Sequence, residues 1–196
     1  MAYGLLVSDH PLLNDLYLFN LKAYVDLGLT AKISLDEALQ IIDLEAYGDI
    51  IITLSQVAGR DAAQEIVNKL EKKGKDVPVI VIGERSQVSQ TAKVVTLPAN
   101  LNVTALIKKC AVILGVTAKD MVNKEVPGYY PFPISLLETF DKAPCDIFVM
   151  TGRSAGQADF VQIMAKDQEF GDKIPEYREK GVPNLYIPSE LRLKIV

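Results

Sequence analysis

The sequence predicts an α/β chain: a five-stranded parallel sheet with helices on both faces, followed by a small α+β module. Three observations carry this. Short apolar runs alternate with helical patterns from Tyr3 to Leu114, the signature of strand–helix–strand crossovers. The clearest run, Ile50-Ile51-Ile52-Thr53-Leu54, is β-branched and unbroken, as a strand covered on both faces must be. The rhythm then changes after Gly115, where prolines and tyrosines accumulate.

The elements follow in order. Tyr3 to Ser8 is a short apolar run ending in Asp9-His10. Pro11 opens a helical pattern to about Leu27, with Leu12, Leu13, Leu16, Phe19 and Ala23 near helical spacing. Thr30 to Ile33 reads as the second strand. Asp36 to Ala46 reads as a helix, with Ser34 placed as N-cap and Glu37 completing a capping box. The Ile50–Leu54 run is introduced by Gly48-Asp49. A helix from about Asp61 to Lys73, a strand over Val77–Ile82, a strand over Lys93–Leu97 and a helix over Val103–Leu114 complete this part. Residues 119–134 read as a linker rich in Pro and Tyr, whose aromatics need cover. Beyond it, Ile134 to Phe140 reads as a short helix. Cys145–Thr151 and Phe160–Ala165 read as strands around the turn-like Gly152-Arg153-Ser154-Ala155-Gly156. Ile174–Lys180 reads as a helix closed by Gly181, and Asn184–Pro188 as a last strand. The predicted division is 1–118, linker 119–134, and module 135–196.

Composition narrows the function. About half the residues are hydrophobic and the net charge is −4, which argues against a general nucleic-acid binder. No apolar run approaches the about 18 residues needed to span a bilayer. The N-terminus lacks the basic and apolar regions of a signal peptide. Cys110 and Cys145 lie in different segments and His10 is the single histidine, so neither a metal centre nor another cofactor is expected. A cytoplasmic location, with both thiols reduced, is the expectation.

Five segments in sequence order carry a resemblance. Leu5-Leu6-Val7-Ser8-Asp9-His10-Pro11, Gly48 to Leu54, Gly59-Arg60-Asp61-Ala62, Pro78 to Gly83, and Leu97-Pro98 together resemble the receiver domain of two-component response regulators, over roughly residues 1–118. The resemblance implies a flavodoxin-like fold. It also implies a phosphoacceptor aspartate ending the third strand, two further acids holding magnesium, a switch hydroxyl and a lysine, all at the carboxyl edge of the sheet.

Position by position, those groups are missing. Leu54 stands at the phosphoacceptor position, Ser8-Asp9 at the acidic pair, Gly83 at the switch hydroxyl and Leu97 at the lysine. Only Asp9 keeps its group, so four of the five positions have lost theirs. Leu54 and Leu97 are expected to fill the former pocket. Asp9 alone is a poor magnesium site, and its expected role is to cap the following helix. His10 is expected to cap or to face solvent. Between Ile82 and Lys93 a full helix with its connections does not fit, so a shortened fourth helix is expected.

The second module resembles, more loosely, small α+β modules upstream of HD-GYP or other output domains in bacterial signalling proteins. This rests on Pro131-Phe132-Pro133-Ile134, Pro144 to Val149 and Lys180 to Ile187. Tyr129, Tyr130 and Phe132 are the candidate interaction residues, weighed against simple docking of the linker. Gly152 to Gly156 lacks the lysine of a phosphate loop, and the arginine patterns of a PilZ-type cyclic-dinucleotide binder are absent.

The sequence thus leads to a non-phosphorylatable pseudo-receiver, not an enzyme, forming the N-terminal part of a longer signalling protein. It is expected to act through a protein partner or an attached output domain and to form a homodimer, without nucleic acid or membrane. The alternative is a ligand-sensing module that takes a small molecule or nucleotide at the carboxyl edge of the sheet or between the domains.

Overall fold

The structure, a computed structural model, describes residues 1–84, 93–100, 103–122, 128–154, 157–191 and 195. The chain divides into two compact units, Met1–Asn123 and Lys124–Val196.

In the first unit the elements are β1 (Ala2–Val7), α1 (Pro11–Val25), β2 (Leu27–Lys32), α2 (Leu35–Asp43), β3 (Ile50–Leu54), β4 (Gln56–Val57), β5 (Arg60–Asp61), α3 (Ala62–Lys72), β6 (Val79–Ile82), β7 (Val94–Leu97), α4 (Val103–Leu114) and α5 (Ala118–Val122). The main sheet runs β2-β1-β3-β6-β7 and every pairing in it is parallel. This is the doubly wound, flavodoxin-like order that the receiver resemblance implied.

Side-chain alternation along each strand splits the interior into two cores. Leu5, Val7, Ile51, Val79 and Val81 meet Leu35, Ala38 and Ile42 of α2 and Ile66, Val67 and Leu70 of α3. On the other face, Leu6, Ile50, Ile52, Ile80 and Ile82 meet Tyr17, Leu21 and Val25 of α1 and Leu106 and Cys110 of α4. Burying both faces is why these strands read as continuous apolar runs.

Several expectations change in detail. Helix α1 stops at Val25, because Asp26 adopts a left-handed conformation (φ 52°) and its N–H closes on Leu21 O. Ser34 does precede α2, but its hydroxyl makes no capping bond. Asp61 caps α3 by accepting from the Gln64 N–H at 2.9 Å. Most of the shortened fourth-helix region lies outside the described residues.

The second unit contains β8 (Tyr129–Pro133), α6 (Ile134–Leu137), β9 (Ile147–Ser154), β10 (Gln157–Met164), α7 (Lys173–Glu179), β11 (Asn184–Pro188) and a 3₁₀ turn (Ser189–Leu191). Four strands form an antiparallel sheet in the order β10-β9-β11-β8. The supposed linker therefore includes a strand. Tyr129–Pro133 pairs along its whole length with β11, and its prolines are tolerated because β8 is an edge strand. Residues 123–127 of the supposed linker, and Ala155-Gly156 of the turn-like segment, lie outside the described residues.

Candidate functional site

The carboxyl ends of the parallel strands converge on the positions singled out in the sequence. The ladder holds them firmly. Ser8 N–H donates to Lys32 O (3.0 Å), Ser55 N–H to Ile82 O (2.8 Å) and Gly83 N–H to Leu97 O (2.9 Å).

Leu54 pairs with Ile82, and Ile82 with Leu97. Both leucines are half-buried. Leu97 packs on the core under α1 and α4, whereas Leu54 touches both cores. They extend the cores at the sheet's edge, and it is Ser55 that fills the space beside Gly83. A Cβ added to Gly83 would fall 2.1 Å from Ser55 Oγ and 2.8 Å from Ser55 Cβ. Gly83 also has φ +140°, which side chains rarely adopt. Two independent constraints thus penalise any side chain at this position. Thr53, one residue before Leu54, is buried and spends its hydroxyl on Leu54 O at 2.9 Å.

Asp9 does not cap α1. Its Oδ2 accepts from the Ala58 N–H at 2.8 Å, while the N-cap residue His10 makes no side-chain capping bond. The reason lies in the segment after β3. Gln56-Val57 and Arg60-Asp61 form a miniature hairpin whose turn residues, Ala58 (φ 50°) and Gly59 (φ 76°), both have positive φ, as a two-residue primed turn requires. That turn points the Ala58 amide at the Asp9 carboxylate. His10 Nε2 lies 3.7 Å from Asp9 Oδ1, with the imidazole largely exposed. Ser8 is fully buried; its Oγ accepts from His10 N–H at 3.2 Å, and its carbonyl accepts from Asn14 Nδ2 at 3.1 Å.

Behind the hairpin, Arg60 bridges α2 and α3. It donates to Asp36 Oδ1 (2.7 Å) and to Glu65 Oε1 and Oε2 (3.0 and 2.5 Å). This ties the hairpin's second strand to both helices on that face.

The residues present do not fit the magnesium of a receiver. That ion takes several oxygen ligands around carboxylates. Of Ser8 and Asp9 only Asp9 carries a carboxylate, and it already accepts from the Ala58 amide. Among the described residues no three His, Cys, Asp or Glu side chains gather to hold a metal ion.

The aromatic candidates separate. Phe132 sits opposite Leu185 and is 2 % exposed, so it is a core residue and not an exposed anchor. Alternation along the strand turns it inward. Tyr129, on the opposite side, packs against Phe148 and Phe160 with ring centroids 4.7 and 4.3 Å apart, and Phe160 packs on Tyr186 at 5.0 Å. Tyr129 and Phe160 belong to opposite edge strands, so the sheet curls until rings from both edges meet. This row is not legible from sequence, because its members come from four separated segments. Tyr130 is half-buried. Cys110 and Cys145 are buried, and burial pushes their thiols up to about 12 and about 11.

No family model and no curated protein matches the chain. Among solved structures, the chain is similar to a response-regulator receiver domain from Francisella, with 17 % identity over 59 % of this chain and 98 % of that one and a TM-score of 0.48. It is similar to receiver proteins from Burkholderia phymatum (24 % identity, 60 % and 98 % covered, TM-score 0.47) and Sinorhizobium medicae (15 %, 58 % and 94 %, TM-score 0.47). No helix among the described residues is long and apolar enough to cross a membrane.

Proposed function

We propose that the first unit is a pseudo-receiver: a regulatory module that acts through protein contacts and carries no phosphoryl switch. The observation that carries this reading is the state of the sheet's carboxyl edge. Leu54 offers no lone pair for attack. Ser55 occupies the space beside Gly83, and Asp9 is committed to the Ala58 amide. A site emptied of its nucleophile, with its remaining groups satisfied internally, supports a scaffold held in one state.

The second unit, likened by sequence to modules that precede HD-GYP and other output domains, serves in this reading as the contact-making part. The chain acts on a protein partner or an attached output domain, and associates with itself. The ligand-sensing alternative competes with the packing of Ser55 at the edge where a ligand would sit.

The test is the mass of the protein in solution across a concentration series, with and without magnesium and acetyl phosphate. The proposal expects self-association that is indifferent to the phosphoryl donor. Association that strengthens or weakens with the donor would refute the loss of the switch. A monomer at every concentration would refute the self-association.

A further inference from the structure

The second unit holds three sulfur atoms, those of Cys145, Met150 and Met164. Two are closed off. Cys145 and Met164 are buried, and burial keeps the Cys145 thiol protonated, and so unreactive, far above neutral pH. Met150 differs in being 38 % exposed. It lies on β9 opposite Phe160 and two residues after Phe148, so alternation puts it on the face that carries the aromatic row. Tyr186, a member of that row, donates its hydroxyl hydrogen to Met150 Sδ at 4.0 Å. A thioether is a weak acceptor, and this bond is long. An accessible, nucleophilic sulfur thus sits beside a phenol donor whose present acceptor is poor.

We propose that Met150 is a site of reversible oxidation, at which hydrogen peroxide converts the thioether to the sulfoxide and Tyr186 hydrogen-bonds the oxygen added. The sulfur lone pair attacks one peroxide oxygen. The S–O bond forms as the O–O bond breaks, and sulfur gives up two electrons to the peroxide. The oxygen left behind takes the proton of the transferred one and departs as water. The product is polar where the thioether was apolar, and its oxygen is a stronger acceptor for the Tyr186 hydroxyl already in contact with the sulfur. Oxidation therefore places a polar group on the aromatic face and shifts the Tyr186 ring against Phe160, its neighbour at 5.0 Å. Reduction of the sulfoxide restores the original face.

This inference goes beyond the proposed function and needs neither a partner nor self-association. Dilute hydrogen peroxide on the full chain, followed by peptide mass mapping, tests it. Met150 is expected to gain one oxygen about tenfold or more faster than buried Met164, with both cysteines unmodified. The chain has no tryptophan, so its near-ultraviolet circular dichroism reports tyrosine and phenylalanine packing. That spectrum is expected to change on oxidation, to return after treatment with methionine sulfoxide reductases, and to stay constant in Met150→Leu, a swap that conserves volume. Tyr186→Phe is expected to oxidise at Met150 with the spectral change lost. A Met150 that stays reduced while Met1 and Met121 take up oxygen overturns the site. A spectrum that does not respond, or that responds equally in Tyr186→Phe, overturns the role of Tyr186. A change that the reductases do not reverse, or oxidation that takes Met164 along with Met150, marks damage to the fold and overturns the proposal.

Discussion

Gly83 and Ser55 show how closely one position at the sheet's carboxyl edge is packed. Gly83 has a backbone conformation that costs any other residue on the order of 1–3 kcal/mol, and its missing Cβ is where Ser55 packs. Gly83→Thr, which places a hydroxyl at this position, is therefore expected to lower stability by roughly 2–4 kcal/mol in chemical denaturation. Adding Ser55→Gly relieves the clash alone and returns only part of that loss. An unchanged midpoint for Gly83→Thr would contradict the packing described. The thiols make a second case. Burial raises Cys110 to about 12 from 9.0, so the folded chain holds its proton where the unfolded chain has released it. The stability this represents is complete below pH about 9 and is lost as pH rises towards about 12. Thiol reagents at neutral pH should leave both cysteines unlabelled until the chain unfolds; rapid labelling of the folded protein would contradict their burial. The positions on which the proposed loss of the switch rests were read from the sequence, because each lies within a segment that resembles a receiver. The role of Ser55 was not, since it depends on which way one side chain turns.

At the scale of elements, the hairpin β4–β5 explains the fate of Asp9. The carboxylate and the Ala58 amide are 49 residues apart in sequence, and no local pattern links them. A helix cap was the natural reading of an acid just before Pro11. Asp9→Ala leaves the Ala58 amide without its acceptor, at a cost of about 0.5–1.5 kcal/mol. It should speed exchange at Ala58 and its hairpin neighbours while leaving α1 as stable as before. Loss of α1 instead would restore the capping role. Strand β8 escaped the sequence reading for a related reason. Its two prolines mark a linker unless the strand lies at an edge, and edge position is a property of the whole sheet. Helix α4, by contrast, was read to its residue limits, Val103–Leu114, because its apolar spacing faces a single core. The irregular β9–β10 pairing was legible as two strands and a turn, but not as the longer strands Ile147–Ser154 and Gln157–Met164.

At the scale of the molecule, the first unit has a five-stranded parallel sheet in the flavodoxin-like order β2-β1-β3-β6-β7. The parallel sheet with a core on each face was foreseeable, because it follows from alternation and from burial of both sheet faces; the strand order followed only from the receiver resemblance. The second unit's curled sheet was not, since its aromatic row is assembled from β8, β9, β10 and β11 together. The central claim, that this scaffold cannot be phosphorylated, is tested most directly by intact mass of the full chain after incubation with magnesium and acetyl phosphate. The unmodified mass is the predicted result. A phosphoryl adduct that is lost on treatment with hydroxylamine, as an acyl phosphate is, would contradict it.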